Sequence, residues 1–414
     1  MEIATIKDNT FLNEWLSQIH TKVHYVPDNV LTEALQYIEN KGIPNLKDEA
    51  YRNVPIESIL KRNFRKLIID SSNITSNTDL SAHPNNIIIS EHQTQYQLKE
   101  KGISIYTQNY PKEYLSFIGK VLLHQKDFFA ALNTAYCEHF TIIHITQSLQ
   151  YPLFIQYHLN STSNFIQNRI LFVIDENVNA TIFENISGTF QRPTFFNHLA
   201  EVYINPFAQL NWINLQNDSS NLLYNINNIA FSIEKSAQLK HNQISLNGAL
   251  LRNNLNAHIN NTDVTCELKG LSIGKNQNII SQNTQILHHI GYSQSNQLYK
   301  SIADDKSVVL FNGFILVDKD SQKTNAYQNS KNLLLSDNAT LFAKPQLEIY
   351  ADDVKCSHGS STGALNEDAF FYLRARGIDK NSAQKLLLYA FFNDIIESID
   401  NYEIKEILEQ QIEI

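Results

Sequence analysis

From about Phe140 to Val354 the apolar residues come in short alternating runs broken by Asn, Asp, Gln and Ser, with no convincing long helix among them. Alternation with a period of two predicts strands. One phrase recurs within the span: FVIDENVNATI at 172–182 is echoed by VYINPFAQL at 202–210 and by FSIEKSAQL at 231–239. Its alanines, Ala180, Ala208 and Ala237, lie 28 and 29 residues apart, a further 29 reaches Cys266, and DNATL at 337–341 repeats the phrase around Ala339. Self-similarity at a fixed period in a strand-rich segment points to a solenoid whose stacked coils bury the inward face of every strand. A small residue at each corner lets the backbone turn while neighbouring coils stay about 4.8 Å apart. A parallel β-helix is therefore expected. The rival, a β-sandwich, would turn its hairpins with Asn-Gly or Asp-Gly, and only Asn247-Gly248 and Asn312-Gly313 fit within the span.

The flanks read differently. Residues 1–135 are expected to be mainly helical, 136–360 to form the β-helix core, and 361–414 to be helical again. In Asp28 to Asn40, Leu31, Ala34, Leu35 and Ile38 recur at helical spacing, with Asp28 or Asn29 as N-cap and Gly42 as the stop. A second helix is expected over Lys112 to Leu132, after Pro111. Between them, 65–107 is polar with short β-branched runs such as Ile87 to Ile89, and carries no identifiable chemistry. Near the C-terminus Asn366 caps a helix that Gly377 ends, and Asp379 caps a longer one. Apolar residues in Ala383 to Ile399 exceed what one buried stripe requires. Either the helix is covered on all sides by its own domain, or a partner covers the remainder.

The 414 residues carry 33 Lys plus Arg against 42 Asp plus Glu, a formal charge of -9. Nucleic-acid binding over a broad surface is excluded by that balance. Cys137, Cys266 and Cys356 are odd in number and far apart, which fits a reducing cytoplasm better than a disulfide framework. The N-terminus has acids and polar groups where a secretory leader needs a basic start and an apolar run. No run of about 18 apolar residues is present, so no membrane span is expected. With 12 glycines, phosphate cradles are scarce, and neither Gly119-Lys120-Val121 nor Gly274-Lys275-Asn276 completes a P-loop. No nucleotide is expected on this chain; any ATP belongs to another.

Reactive residue types are densest in DDVKCSHG, 352–359, just after the strand-like LEIYA of 347–351. If the strand persists, Cys356 and His358 point to one side and present a thiol and an imidazole together. That is half a metal site, of a donor type suited to zinc or an Fe-S centre. Cys137-Glu138-His139 has the same spacing, but between apolar runs it reads as a packed Cys beside a surface His. Cys266 reads as core. The adjacent His288 and His289 face opposite ways in a strand. Asp304-Asp305 and Asp352-Asp353 fit solvated turns. No Ser-His-Asp set or zinc-type CxxC pair can be assembled.

LFNGFILV, QKTNAYQNSKNLLLSDNA and KPQLEIYADDVKCSHGSSTGALNEDAFFYLRARGI, within about Val308 to Ile399, closely resemble the SufB/SufD family of the SUF iron-sulfur cluster assembly machinery. IPNLKDEAYRNVPIESIL and DFFAALNTAY resemble the family's N-terminal phrases, with Tyr51 where a Trp is usual. The resemblance implies a right-handed parallel β-helix between helical terminal segments. It also implies a non-enzymatic scaffold that pairs with SufB through the β-helix and docks the SufC ATPase through its C-terminal helices, at Leu386, Leu387, Ala390 and Phe391. His358, with Cys356 as its neighbour, would then ligate iron or a transient iron-sulfur cluster at the SufB interface. SufB-like chains carry a Cys in the segment matching AYQNSKNLLL, where this chain has Ser330 or a neighbour, so the resemblance falls on the SufD side. A homodimer in isolation is a further expectation. Two other readings stay open: a carbohydrate-active β-helix enzyme, needing a groove of clustered acids or basic residues and usually a leader, and a self-associating structural solenoid.

Overall fold

The computed structural model describes residues 10–19, 23–68, 80–90, 93–121, 123–159, 163–188 and 190–412. Residues 1–9, on which the leader expectation partly rests, and Leu122, within the second expected helix, lie outside the described residues. Helices α1 (Thr10–Leu16), α2 (Asp28–Lys41) and α3 (Ile56–Asn63) come first. Strands β1 (Asn85–Ser90), β2 (Thr94–Leu98) and β3 (Ile103–Tyr106) follow, then helices α4 (Lys112–Leu115) and α5 (Phe128–Tyr136). The long strand series is β4 (Phe140–Ile145), β5 (Leu153–His158), β6 (Phe165–Ile174), β7 (Asn179–Gly188), β8 (Thr194–Ile204), β9 (Gln209–Asp218), β10 (Leu223–Ile233) and β11 (Gln238–Ser245). It continues as β12 (Leu250–Ile259), β13 (Thr265–Gly274), β14 (Ile279–His288), β15 (Gln294–Ala303), β16 (Val308–Val317), β17 (Asn325–Leu334), β18 (Thr340–Ile349) and β19 (Lys355–Gly363). Helices α6 (Glu367–Ala375), α7 (Lys380–Glu397) and α8 (Tyr402–Gln411) close the chain.

From β4 onward the chain alternates between two sheets, odd strands in one and even strands in the other, with every pairing parallel. This is the expected parallel β-helix, about 8 turns long, with 44% of the described residues in strands and 23% in helices. At its first end the ten-stranded sheet is closed by β2, antiparallel to β1, and the nine-stranded sheet by β3, antiparallel to β4. The run Ile87 to Ile89 sits inside β1, so the sheets draw strands from before residue 136.

The strand register corrects the phase of the repeat. One inward column is Ala180, Leu210, Leu239, Cys266, Ser295, Ala326 and Cys356. Ala208 and Ala237 lie two residues ahead of that column, beside Val178 and Val264, and Ala339 belongs to the other sheet. A slip of two keeps every side chain on the same face, so alternation cannot reveal it. The corner is set by the residue just before these small ones. Asn177, Phe207, Ser236, Asp263, Tyr292 and Lys323 all have φ between 56° and 63°. In this left-handed turn Phe207 N donates to Lys235 O at 2.9 Å and Ser236 N to Thr262 O at 3.0 Å, joining each corner to the next coil. Residues other than glycine dislike that conformation, and the stacked hydrogen bonds hold them in it.

The lumen is the main core, with Phe172, Trp212 and Phe231 among its largest buried groups. Outside, the N-terminal helices pack on the nine-stranded sheet through Phe165, Phe195, Ile226 and Leu250. The helix α2 buries Val30, Ala34 and Ile38 and stops at Gly42 (φ 65°), whose N–H donates to Ile38 O. The single helix expected over Lys112 to Leu132 is instead α4, a turn at Gly119 (φ 79°), and α5. Asp127 restarts the helix by accepting from Phe129 N at 2.9 Å and Ala130 N at 3.1 Å. The C-terminal helices pack on the ten-stranded sheet, burying Leu388, Phe392, Ile395 and Ile396 of α7 and Ile404 and Leu408 of α8. Lys300, buried under α7, binds Asp394 Oδ1 at 2.7 Å and Phe391 O at 2.6 Å, tying that helix to β15.

Candidate functional site

The last coil is uncovered. Strand β19 pairs only with β17, β18 pairs only with β16, and no further strand follows among the described residues. Side chains that alternate fully buried and outward elsewhere become half-buried or exposed along β18 and β19. Cβ atoms built on Gly359 and Gly363 would meet nothing within 4 Å. The result is two bare strand edges, 10 and 9 residues long, of the kind that recruits another chain. Tyr327, Phe342, Ile349 and Tyr350 add exposed apolar surface around it.

His358 stands on this end. It closes an inward column that runs Ile182, Trp212, His241, Leu268, Gln297, Gln328 and His358. The first six are buried, and His358 is exposed because no coil lies beyond it. Cys356 occupies the neighbouring column, half-buried against the luminal core. The strand does persist, and the two residues share its inward face as alternation requires. Burial pushes the Cys356 thiol up, opposed by a backbone hydrogen bond from Ala326. Among the described residues no group of three or more His, Cys, Asp or Glu converges to hold a metal. Alone, this end offers two donors at most.

The other reactive residues are accounted for locally. Cys137 is fully buried, its Sγ 3.4 Å from His139 O, with the thiol pushed up to about 12 by burial. Cys266 is buried in the lumen, where desolvation also raises its thiol. His288 points inward to Ser295 Oγ at 2.8 Å, while His289 points outward to Asp318 Oδ2 at 2.8 Å. Reading the sequence missed that His289 also meets His258, at 3.3 Å, one coil back; the signal was their separation by one coil period. Asp305 sits in a turn (φ 53°) and Asp353 pairs with Lys323. Gly119 packs against Val30, and Gly274 against Val309 and Ser307, so neither opens a phosphate-binding helix.

Two further surfaces matter. A groove of about 460 Å³ lies between the outer face of the nine-stranded sheet and the residues around Glu49 and Asp127. Two of its three acids are engaged: Glu49 pairs with Lys344, and Asp127 accepts from Tyr51 Oη at 2.6 Å while capping α5, whereas Glu348 meets only Tyr350 Oη, at 3.4 Å. The second surface is on the C-terminal helices. Leu386 is 50% exposed and Ala390 is exposed, whereas Leu387 is half-buried and Phe391 is half-buried against the chain's own sheet. The helix α6 buries no residue, and leaves Phe371 74% and Tyr372 57% exposed. These two aromatics were not singled out from the sequence. No described helix is long and apolar enough to cross a membrane.

Comparison with known proteins places this geometry. Residues 157–391, more than half the chain, match the family described as SUF system FeS cluster assembly, SufBD core domain. That stretch takes in the last coil and most of α7. The iron-sulfur cluster assembly protein SufD of Escherichia coli (strain K12) is 38% identical over 161 residues, 39% of this chain and 38% of that protein. A SufBD family protein of Synechocystis is 31% identical over 283 residues, 66% of this chain and 62% of that one. SufD of Bacillus subtilis (strain 168) is 24% identical over 389 residues, covering 91% and 88%. The matched stretches span less than two thirds of the length of the first two relatives. The chain belongs to the SufB/SufD family of the SUF system of iron-sulfur cluster assembly, as a SufD-type member.

Proposed function

We propose that this chain is a non-catalytic scaffold subunit that pairs with a SufB-type chain through the open end of its solenoid. The nascent iron-sulfur cluster, or its iron, is cargo held at that seam, with His358 as this chain's principal donor and Cys356 as its neighbour. The partner completes the coordination sphere. The observation that carries the reading is the bare last coil, with an exposed imidazole on the inward face of its edge strand. Edge strands of this length are otherwise a liability that folds cover or blunt, and β19 has no proline.

A SufC-type ATPase docks on the C-terminal helices, through Leu386, Leu387, Ala390 and Phe391 together with the exposed aromatics of α6. Hydrolysis by that partner supplies the movement, since this chain has no phosphate cradle in its sequence. The free thiols of Cys137, Cys266 and Cys356 fit work in a reducing cytoplasm. In isolation the same seam accepts a second copy of the chain. A carbohydrate-active enzyme is disfavoured because two of the three acids lining the outer groove, Glu49 and Asp127, are tied into an ion pair and a helix cap.

The composition of the native complex tests this reading. Purification of the full chain from its own cells is expected to bring down a paralogous chain and an ATPase. Recovery of the chain alone, with polysaccharide turnover, would reverse it.

A further inference from the structure

The column that ends at His358 is polar over its last three members, although the lumen around it is largely hydrocarbon. Gln328 Nε2 donates to Gln297 Oε1 at 2.8 Å, and Thr284 Oγ1 donates to the same oxygen at 3.0 Å. With the two carboxamides in these orientations, Gln328 Oε1 is turned away from Gln297, and both it and Gln297 Nε2 are buried with no hydrogen-bond partner. Gln328 is 2% exposed and lies in register with His358 on the adjacent strand. Across the lumen, a Cβ at Gly313 would fall 2.1 Å from Gln328 Nε2 and 2.7 Å from Phe311 Cζ. The missing side chain at 313 makes the space that the Gln328 carboxamide fills.

A buried acceptor left unpaired is costly, and the group one column position away is an imidazole with a ring N–H to give. We infer that Gln328 is a positioning residue for His358: its Oε1 accepts the N–H of one ring nitrogen, which fixes the tautomer and leaves the other nitrogen's lone pair turned outward for iron. A ligating imidazole almost always has its second nitrogen held in this way, by a carboxylate, a carbonyl or water. Gln297 and Thr284 hold Gln328, and Gly313 admits it. The inference rests on the proposed role of His358 as an iron donor.

Two readouts separate the inference from that role. The first needs no metal. In the full chain labelled with 15N-histidine, the ring signals of His358 are identified by their loss in His358→Ala. One tautomer should dominate by about tenfold or more in the wild type, Gln328→Leu should bring the ratio toward that of free imidazole, and Gln328→Glu should keep it, because glutamate retains the acceptor. Gly313→Ala should mimic Gln328→Leu by displacing the carboxamide. The second readout is Fe2+ binding by the assembled complex, where Gln328→Leu should lose about 10- to 100-fold in affinity and Gln328→Glu should restore it. If Gln328→Leu changes neither the tautomer nor iron affinity while His358→Ala abolishes binding, the inference is wrong and the donor role stands. If His358→Ala leaves iron binding at wild-type strength, the donor role falls, and the tautomer measurement still decides the contact.

Discussion

The two ends of the solenoid meet the same problem in opposite ways. Any stacked coil exposes unpaired backbone groups at its first and last strands. At the first end the sheets finish in short antiparallel strands, β2 of 5 residues and β3 of 4, and β1 is buried along nearly its whole length. At the last end β18 and β19 stay bare, and side chains that continue buried columns come to the surface. The chain thus contains a working cap and does without one where Cys356 and His358 sit. Two imidazoles in one column show the difference: His241 is fully buried, with neither ring nitrogen hydrogen-bonded, and His358, four strands along in the same sheet, is exposed.

The largest effect should come from the core at the capped end. Ile87→Ala removes a fully buried luminal side chain and should cost about 2–5 kcal/mol in urea unfolding. Leu347→Ala on the last coil, half-buried, should cost well under half as much in the isolated chain. Equal costs would mean that the last coil is as closed as the first. On the flank, Leu386→Asp should weaken ATPase docking by about 2 kcal/mol, roughly 30-fold, with little change in stability because Leu386 is 50% exposed. Unchanged capture would move the docking surface off α7.

A smaller effect is expected in acid. Burial pushes His198 and His241 down to about 3 and His288 to about 4, against about 6.5 in the unfolded chain. The unfolded state therefore takes up protons first, so stability is full above about pH 6.5 and falls as the pH drops toward 3–4. Burial raises the Glu184 carboxyl, beside His198. That shift acts in the opposite sense and blunts part of the loss. His241→Leu should gain about 2 kcal/mol relative to wild type on going from pH 8 to pH 5. An unchanged difference between the two pH values would mean that burial does not hold the His241 ring neutral.

Much of this was legible in the sequence. The β-helix showed itself because each coil reuses nearly the same number of residues, and alternation put Cys356 and His358 on one face. The caps at Asn366 and Asp379 formed as expected, accepting from Ala369 N and from Asn381 N and Ser382 N. The register was not legible, since a two-residue slip between Ala180 and Ala208 leaves every face unchanged. Nor were the left-handed corners at Phe207 and Tyr292, which only neighbouring coils stabilise. The apolar run of Lys112 to Leu132 is continuous in sequence but broken in space at Gly119 and Asp127. The open end itself depends on where stacking stops, and no local pattern around His358 encodes that.

The most direct measurement is the iron and sulfide content of the reconstituted complex carrying His358→Ala, with subunit assembly checked on the same sample. The account predicts intact assembly and a fall in cluster content of about tenfold or more. Wild-type cluster content in an intact complex would contradict it.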